Sequence, residues 1–191
     1  MAMPALPSTG WTVEMVHALP EDGKRYEVID GELLVSPAPS LTHQRALRIL
    51  MLLLAPYAES VGLELLFAPF AILFSPRTEV QPEIVGFHLQ ENGNAPDFSE
   101  PGRLVLAVEA LSPSTMRADC YKKRPLFQKY RVHEYWIVDA ANRLIARWRP
   151  DDEEPEVVVD AMSWHPVSGF EPLAIDVAAY FREVHRERPG R

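Results

Sequence analysis

The sequence predicts an α/β fold, a mixed central sheet flanked by helices, and three stretches carry that prediction. The apolar run "LVLAVEAL" (104–111), the helix-patterned residues 115–131 and "EYWIVD" (134–139) follow one another as strand, helix and strand. Such a unit has parallel strands and a right-handed connection. "RYEVIDGELLVSP" alternates about Asp30-Gly31, a dipeptide that marks a tight hairpin and hence an antiparallel pair. "SLTHQRALRILMLLLAPYAES" sets Leu47, Leu50 and Leu54 at helical spacing, with Ile49 and Leu53 beside them, as a long helix with one apolar face does.

Taken in order, "MAMPALPSTG" holds two prolines without periodicity and reads as a loose lead-in to a short helix over 12–19. Strands over 25–29 and 32–36 flank the turn, and Ser40 is placed to cap the long helix. "LELLFAPFAILFS" and "EVQPEIVGF" follow as strands, interrupted at Pro69 and turned by "SPRT". A polar loop, "QENGNAPDFSEPG", leads to the strand over 104–111, whose continuous apolar character belongs in the middle of a sheet. "SPST" ends it. Within residues 115–131, Pro125 has no N–H and leaves the carbonyl of Tyr121 without its helical donor, so a kink or break is expected near Lys123. "EYWIVD" and "RLIARWR" pair through a turn at "AAN", "PDDEEPE" reads as a solvated loop, and "VAAYFREVHRER" as a terminal helix. No repeat or linker divides the chain. One domain is expected over 1–191, with a core over about 12–150 and C-terminal strands and a helix in 151–185.

Composition narrows the function. The 191 residues are 47% hydrophobic and 24% charged, and 19 Lys and Arg against 27 Asp and Glu leave a net charge of -8. Binding a polyanion through bulk charge is excluded, so a nucleic-acid partner needs a local basic patch. The single cysteine, Cys120, closes no intramolecular disulfide. No apolar run approaches the roughly 20 residues that span a bilayer, and no signal-peptide pattern opens the chain, so a cytoplasmic protein without a membrane partner is expected.

Glu109 interrupts an apolar strand near its carboxyl end, where ligands gather in open α/β sheets. Glu83 has a similar setting in "VQPEIVGF". Two carboxylates at one sheet rim repel unless a cation or a shared proton lies between them. Mg²⁺ accepts such oxygens together with water and phosphate. Lys123 lies one strand-to-helix step from Glu109 and four residues after Asp119, on the same helical face. As a site-lining lysine it is expected to add little to core stability. Each residue has a plainer reading. A glutamate near a strand end is more often solvated or ion-paired than a ligand, "YKKR" suits a solvated helix face, and His43 suits an exposed or hydrogen-bonded histidine. Tyr135 and Trp136 read as core, and Cys120 as a small packed side chain.

"YEVIDGELLVSPAPSLTHQ", "VQPEIVG" and "LAVEALSPSTMRADCYKKRPLFQKYRVHEYWIVD" together resemble the Uma group of restriction endonucleases, a bacterial family with a PD-(D/E)xK nuclease core, over about residues 12–150. The resemblance implies a restriction-endonuclease-like fold, a homodimer, nucleic acid as partner (DNA first), and Mg²⁺ or Mn²⁺ as cofactor. Glu83 takes the position of the family's "PD" aspartate, Glu109 that of the strand carboxylate and Lys123 that of the lysine. Glu83 and Glu109 are then the implied metal ligands, with Glu32, His43 and Asp119 in supporting roles. Two departures accompany the match. Position 83 holds Glu where the family usually has Asp, and the position two after Glu109 is Leu111, so the lysine comes from the following helix. Arg117, Lys122, Arg124 and Lys129 around that helix supply local positive potential. Two other functions remain open: a non-catalytic binding protein that keeps the nuclease fold, and a glycoside hydrolase using the acid pair, which would need no metal.

Overall fold

The computed structural model describes residues 10–112 and 115–187; the lead-in over 1–9, residues 113–114 of "SPST", and residues 188–191, which include the end of the stretch expected as a terminal helix, lie outside them. In chain order the elements begin with α1 (Val13–His17), β1 (Arg25–Ile29), β2 (Glu32–Ser36) and α2 (Leu41–Ser60). Next come β3 (Glu64–Phe67), β4 (Ile72–Ser75), β5 (Thr78–Val80), β6 (Ile84–Phe87) and β7 (Leu104–Ala110). A three-part helical segment follows: α3 (Met116–Ala118), a π turn (Asp119–Lys123) and α4 (Arg124–Lys129). The chain continues through β8 (Glu134–Asp139), β9 (Leu144–Trp148), β10 (Glu156–Val158), β11 (Ala161–Trp164), β12 (Leu173–Asp176) and α5 (Val177–Val184).

The central sheet has six strands in the order β10-β9-β8-β7-β6-β3, with β7 and β8 parallel and the other neighbours antiparallel. It is the mixed sheet that the pattern predicts. A second, four-stranded sheet runs β2-β1-β5-β4, and β11 pairs with β12. Local chemistry accounts for the boundaries. Asp30 and Gly31 both have positive φ, 48° and 84°, as a two-residue primed turn requires, and Ile29 faces Glu32 across it. The Ser40 hydroxyl accepts from the His43 amide at 3.2 Å and opens α2.

"EVQPEIVGF" is two strands, not one. β5 pairs with β1 and β4 in the smaller sheet, while β6 pairs with β3 and β7 in the larger. Pro82, which cannot donate to a ladder, stands at the crossing. The crossing sets Glu83 at the junction of the two sheets. The break expected near Lys123 takes the form of the π turn, with Pro125 in the first turn of α4, where a missing N–H is tolerated.

The two faces of the large sheet bury different cores. Leu106, Val108 and Ala110 of β7 pack with Leu50 and Leu54 of α2 and Phe181 of α5. On the other face Ala107 joins Ile29 of β1, Phe127 of α4, and Tyr135 and Ile137 of β8. Glu109 has the parity of Ala107 and is opposite Ile137, so it projects into the layer between the two sheets. Among the described residues, no helix is long and apolar enough to cross a membrane.

The hairpin gives a test of this packing. A Cβ on Gly31 would fall 2.1 Å from an Arg77 guanidinium nitrogen, whereas one on Gly93, at φ +78°, meets nothing within 4 Å. Gly93→Ala is expected to lose about 1 kcal/mol, the backbone penalty alone, and Gly31→Ala about 2 kcal/mol because Arg77 must also move. Urea unfolding of both variants decides it, and equal losses would remove the steric part of the argument.

Candidate active site

Three elements from different parts of the chain meet between the sheets. β7 presents Glu109, the π turn presents Lys123 and Asp119, and β1 presents Glu27. The Lys123 ammonium donates to Glu109 Oε1 at 2.6 Å and lies 2.9 Å from Glu27 Oε1 and 3.9 Å from Asp119 Oδ1. All four side chains are about 2% exposed or less. Glu27 Oε1 also accepts from the Gln81 amide at 2.7 Å, at the crossing between the sheets. The widened π turn lets Asp119 and Lys123 face inward together. π turns of this kind recur at functional sites.

Glu83 forms the adjoining half of the cluster. Its Oε2 accepts from the Ala110 amide at 2.6 Å, and its own amide donates to the Val108 carbonyl at 3.0 Å, so it is fastened on both sides of Glu109. His43 Nε2 lies 2.5 Å from Glu83 Oε1, outside hydrogen-bond alignment, and Arg25 Nη2 lies 3.7 Å away.

Four buried carboxylates therefore face two permanent cations, Lys123 and Arg25. Burial pushes the Glu109 carboxyl well above the ordinary range; Lys123 opposes this, and Asp119, Glu83 and Glu27 add to it. Burial likewise pushes Asp119 up to about 6 against the pull of Lys123. Burial pulls the Lys123 ammonium down, but Glu109, Glu27 and Asp119 together outweigh it and the net shift is upward. The surplus negative charge and the hard oxygen donors suit a small divalent ion. Asp119 Oδ2 is moreover buried without a hydrogen-bond partner. The residues fit such an ion in chemistry but are not gathered as a cage: among the described residues no three His, Cys, Asp or Glu are arranged to hold a metal. Lys123 fills the point of convergence.

Of the residues singled out in the sequence, Glu109, Lys123, Asp119, Glu83 and His43 come together. Glu32 does not join them. It is 64% exposed and ion-pairs with Lys122 at the rim. Lys123 is fully buried, so the expectation that it adds little to the core is wrong: it balances charges that cannot reach water. Glu27 and Arg25 were missed. A glutamate between Tyr26 and Val28 carries the same signal as Glu109, a charge inside an apolar strand, but the hairpin alternation makes it look solvent-facing.

A family model described as "Uma2: Putative restriction endonuclease" matches residues 13–178. Among solved structures, the chain is similar to a protein from Anabaena variabilis described as "a putative nuclease belonging to DUF820", at 19% identity and a TM-score of 0.72, covering 91% of this chain and 99% of that one. At that identity the likeness shows the fold. No curated protein matches the chain.

Two measurements test the electrostatics. Lys123→Ala leaves Glu27 and Glu109 buried without their cation and is expected to lose about 3–5 kcal/mol in urea unfolding. An unchanged midpoint would mean that the ammonium is not held there. For Asp119, a folded pKa of about 6 above the ordinary 3.8 means that the native state holds a proton the unfolded chain has released. Its contribution to stability is therefore fully present below about pH 3.8 and is lost as pH rises from there through 6. In chelator, the parent should lose about 2–3 kcal/mol more than Asp119→Asn between pH 4 and pH 7. Parallel pH profiles would contradict the shift.

Proposed function

Since the chain belongs to the Uma2 restriction-endonuclease family, we propose that it is a metal-dependent endonuclease hydrolysing phosphodiester bonds, with DNA as the polymer and a homodimer as the acting form. The observation that carries the reading is Lys123, held 2.6 Å from Glu109 and 2.9 Å from Glu27 beside Asp119. Acids and a lysine on the strand and following helix of a β-α-β unit are the groups that phosphodiester cleavage uses. Glu83 and Glu109 would hold Mg²⁺ or Mn²⁺, with Asp119 beside them. When bound, the ion supplies polarisation of the scissile phosphate and a more acidic water.

The chain's own groups do the rest. Lys123 is oriented by Glu27 and stabilises negative charge building on phosphorus. The Ala110 amide fixes the Glu83 carboxylate, and His43 lies against its other oxygen. Glu32 holds Lys122 at the rim, and with Arg117, Arg124 and Lys129 this lysine supplies the local positive potential that a net charge of -8 denies the molecule as a whole.

One observation favours a second reading. Glu109 and Lys123 are each only 2% exposed, as expected of a charge cluster kept to hold two sheets together in a non-catalytic nucleic-acid-binding or scaffold protein. Incubating the protein with plasmid and with single-stranded DNA separates the two. The nuclease reading expects cleavage with Mg²⁺ or Mn²⁺ and none with Ca²⁺ or chelator. Glu109→Gln should lower the rate at least about 100-fold, as the loss of a group acting in the transition state does. Lys122→Ala, which removes one of several rim cations, should lower the rate far less than Glu109→Gln does. No cleavage with any ion, together with no stabilisation of the parent by Mg²⁺ in thermal unfolding, would favour the scaffold. Cleavage that persists in chelator would overturn the metal requirement.

A further inference from the structure

We propose that the substrate is a single-stranded nucleic acid whose unstacked bases enter the cavity between α2, the start of β1 and the β3–β4 turn; the choice of nucleic acid rests on the nuclease reading. The cavity measures about 850 Å³ and includes Arg25 and Glu83 in its lining. Those two residues also belong to the charge cluster, and the Glu83 carboxylate is bonded to the amide next to Glu109. A chain lying in the cavity therefore runs up to Glu83, at the edge of the charge cluster.

The lining combines apolar side chains with three cations, Lys24, Arg25 and Arg48, and three carboxylates, Glu21, Glu79 and Glu83. Leu47, Met51 and Leu52 of α2 form one wall, and Phe67 and Pro69 stand in the other. Leu52 and Phe67 are 63% and 67% exposed, apolar side chains that no element covers among the described residues. Arg48 stands on the same stretch of α2. Among the described residues it has no hydrogen bond or ion pair, whereas Lys24 is held by Asp22 and Arg25 approaches Glu83. A guanidinium and an exposed aromatic ring lining one cavity offer a phosphate contact and a stacking platform.

Concavity selects the single strand. Paired bases are read by a helix or ribbon that enters a groove, whereas here exposed apolar side chains line a cavity. A cavity takes bases that have left the stack and can lie against aromatic and apolar side chains. Single-stranded DNA and RNA share this chemistry.

Equilibrium anisotropy with fluorescein-labelled oligonucleotides of about twelve nucleotides, as DNA, as RNA and as the corresponding DNA duplex, tests it in Ca²⁺. The proposal expects at least one single strand to bind about ten-fold or more tightly than the duplex. Phe67→Ala and Arg48→Ala should each weaken it about five-fold or more, a typical loss for a stacking or phosphate contact. Phe170→Ala, another exposed aromatic outside the cavity, should have no effect. Preference for the duplex overturns the proposal, as do cavity variants that bind single strands like the parent. A dimer that binds no oligonucleotide and dissociates on Phe67→Ala also overturns it, since a second copy would then fill the cavity. Failure of the nuclease reading looks different. Single strands would bind through Phe67 and Arg48 while the parent cleaves nothing in Mg²⁺ or Mn²⁺. Conversely, duplex cleavage that Phe67→Ala leaves intact would keep the nuclease and remove the single-strand substrate.

Discussion

A buried ammonium, that of Lys123, is shared by two carboxylates from two different sheets, and most of the architecture around the site follows from satisfying it. Glu27 belongs to the four-stranded sheet, Glu109 to the six-stranded sheet, and Lys123 to the π turn that connects β7 to β8. Taking any of these groups out of water alone would cost several kcal/mol, and only close pairing with further hydrogen bonds offsets that cost. The Gln81 amide provides one such bond to Glu27. The ion cluster therefore requires the sheets to face each other, and the apolar layer around it, from Ile29 to Tyr135, keeps water out of the pairing.

The same arrangement leaves charge unbalanced. Lys123 and Arg25 do not neutralise Glu27, Glu83, Glu109 and Asp119; burial first, and then the neighbouring carboxylates, hold the Glu109 and Asp119 carboxyls above their ordinary range. A fold optimised only for stability would replace such a cluster with apolar side chains. The retained excess of negative charge is the physical basis on which the nuclease proposal gives the cluster a chemical role.

The sequence made the elements legible more readily than their meeting points. The hairpin at Asp30-Gly31, the capped helix after Ser40 and the break before Pro125 depend on neighbours in the chain, and all three stand where local rules put them. Glu109 was legible because a lone carboxylate contradicts an apolar run. Glu27 has the same burial but sits in a strand that alternates, so its position reads as the wet face of a hairpin; only the packing of one sheet on the other, a long-range fact, makes that face an interior. The division of "EVQPEIVGF" was hidden for a related reason. Its strand propensity is continuous, and Pro82 marks a crossing only once two sheets exist to be crossed. Glu32 illustrates the opposite error: it follows the turn directly, close to the site along the chain, yet its side chain ion-pairs with Lys122 at the rim.

The central claim, that Lys123 is a charged ammonium shut between Glu27 and Glu109, is tested most directly by nitrogen-15 NMR of the lysine side chains, with Lys123 assigned by substitution. The account predicts a slowly exchanging ammonium signal for Lys123 that remains protonated above the ordinary lysine value of about 10.4 while the other lysines titrate near it. A Lys123 signal that exchanges rapidly with water and titrates with the surface lysines would contradict it.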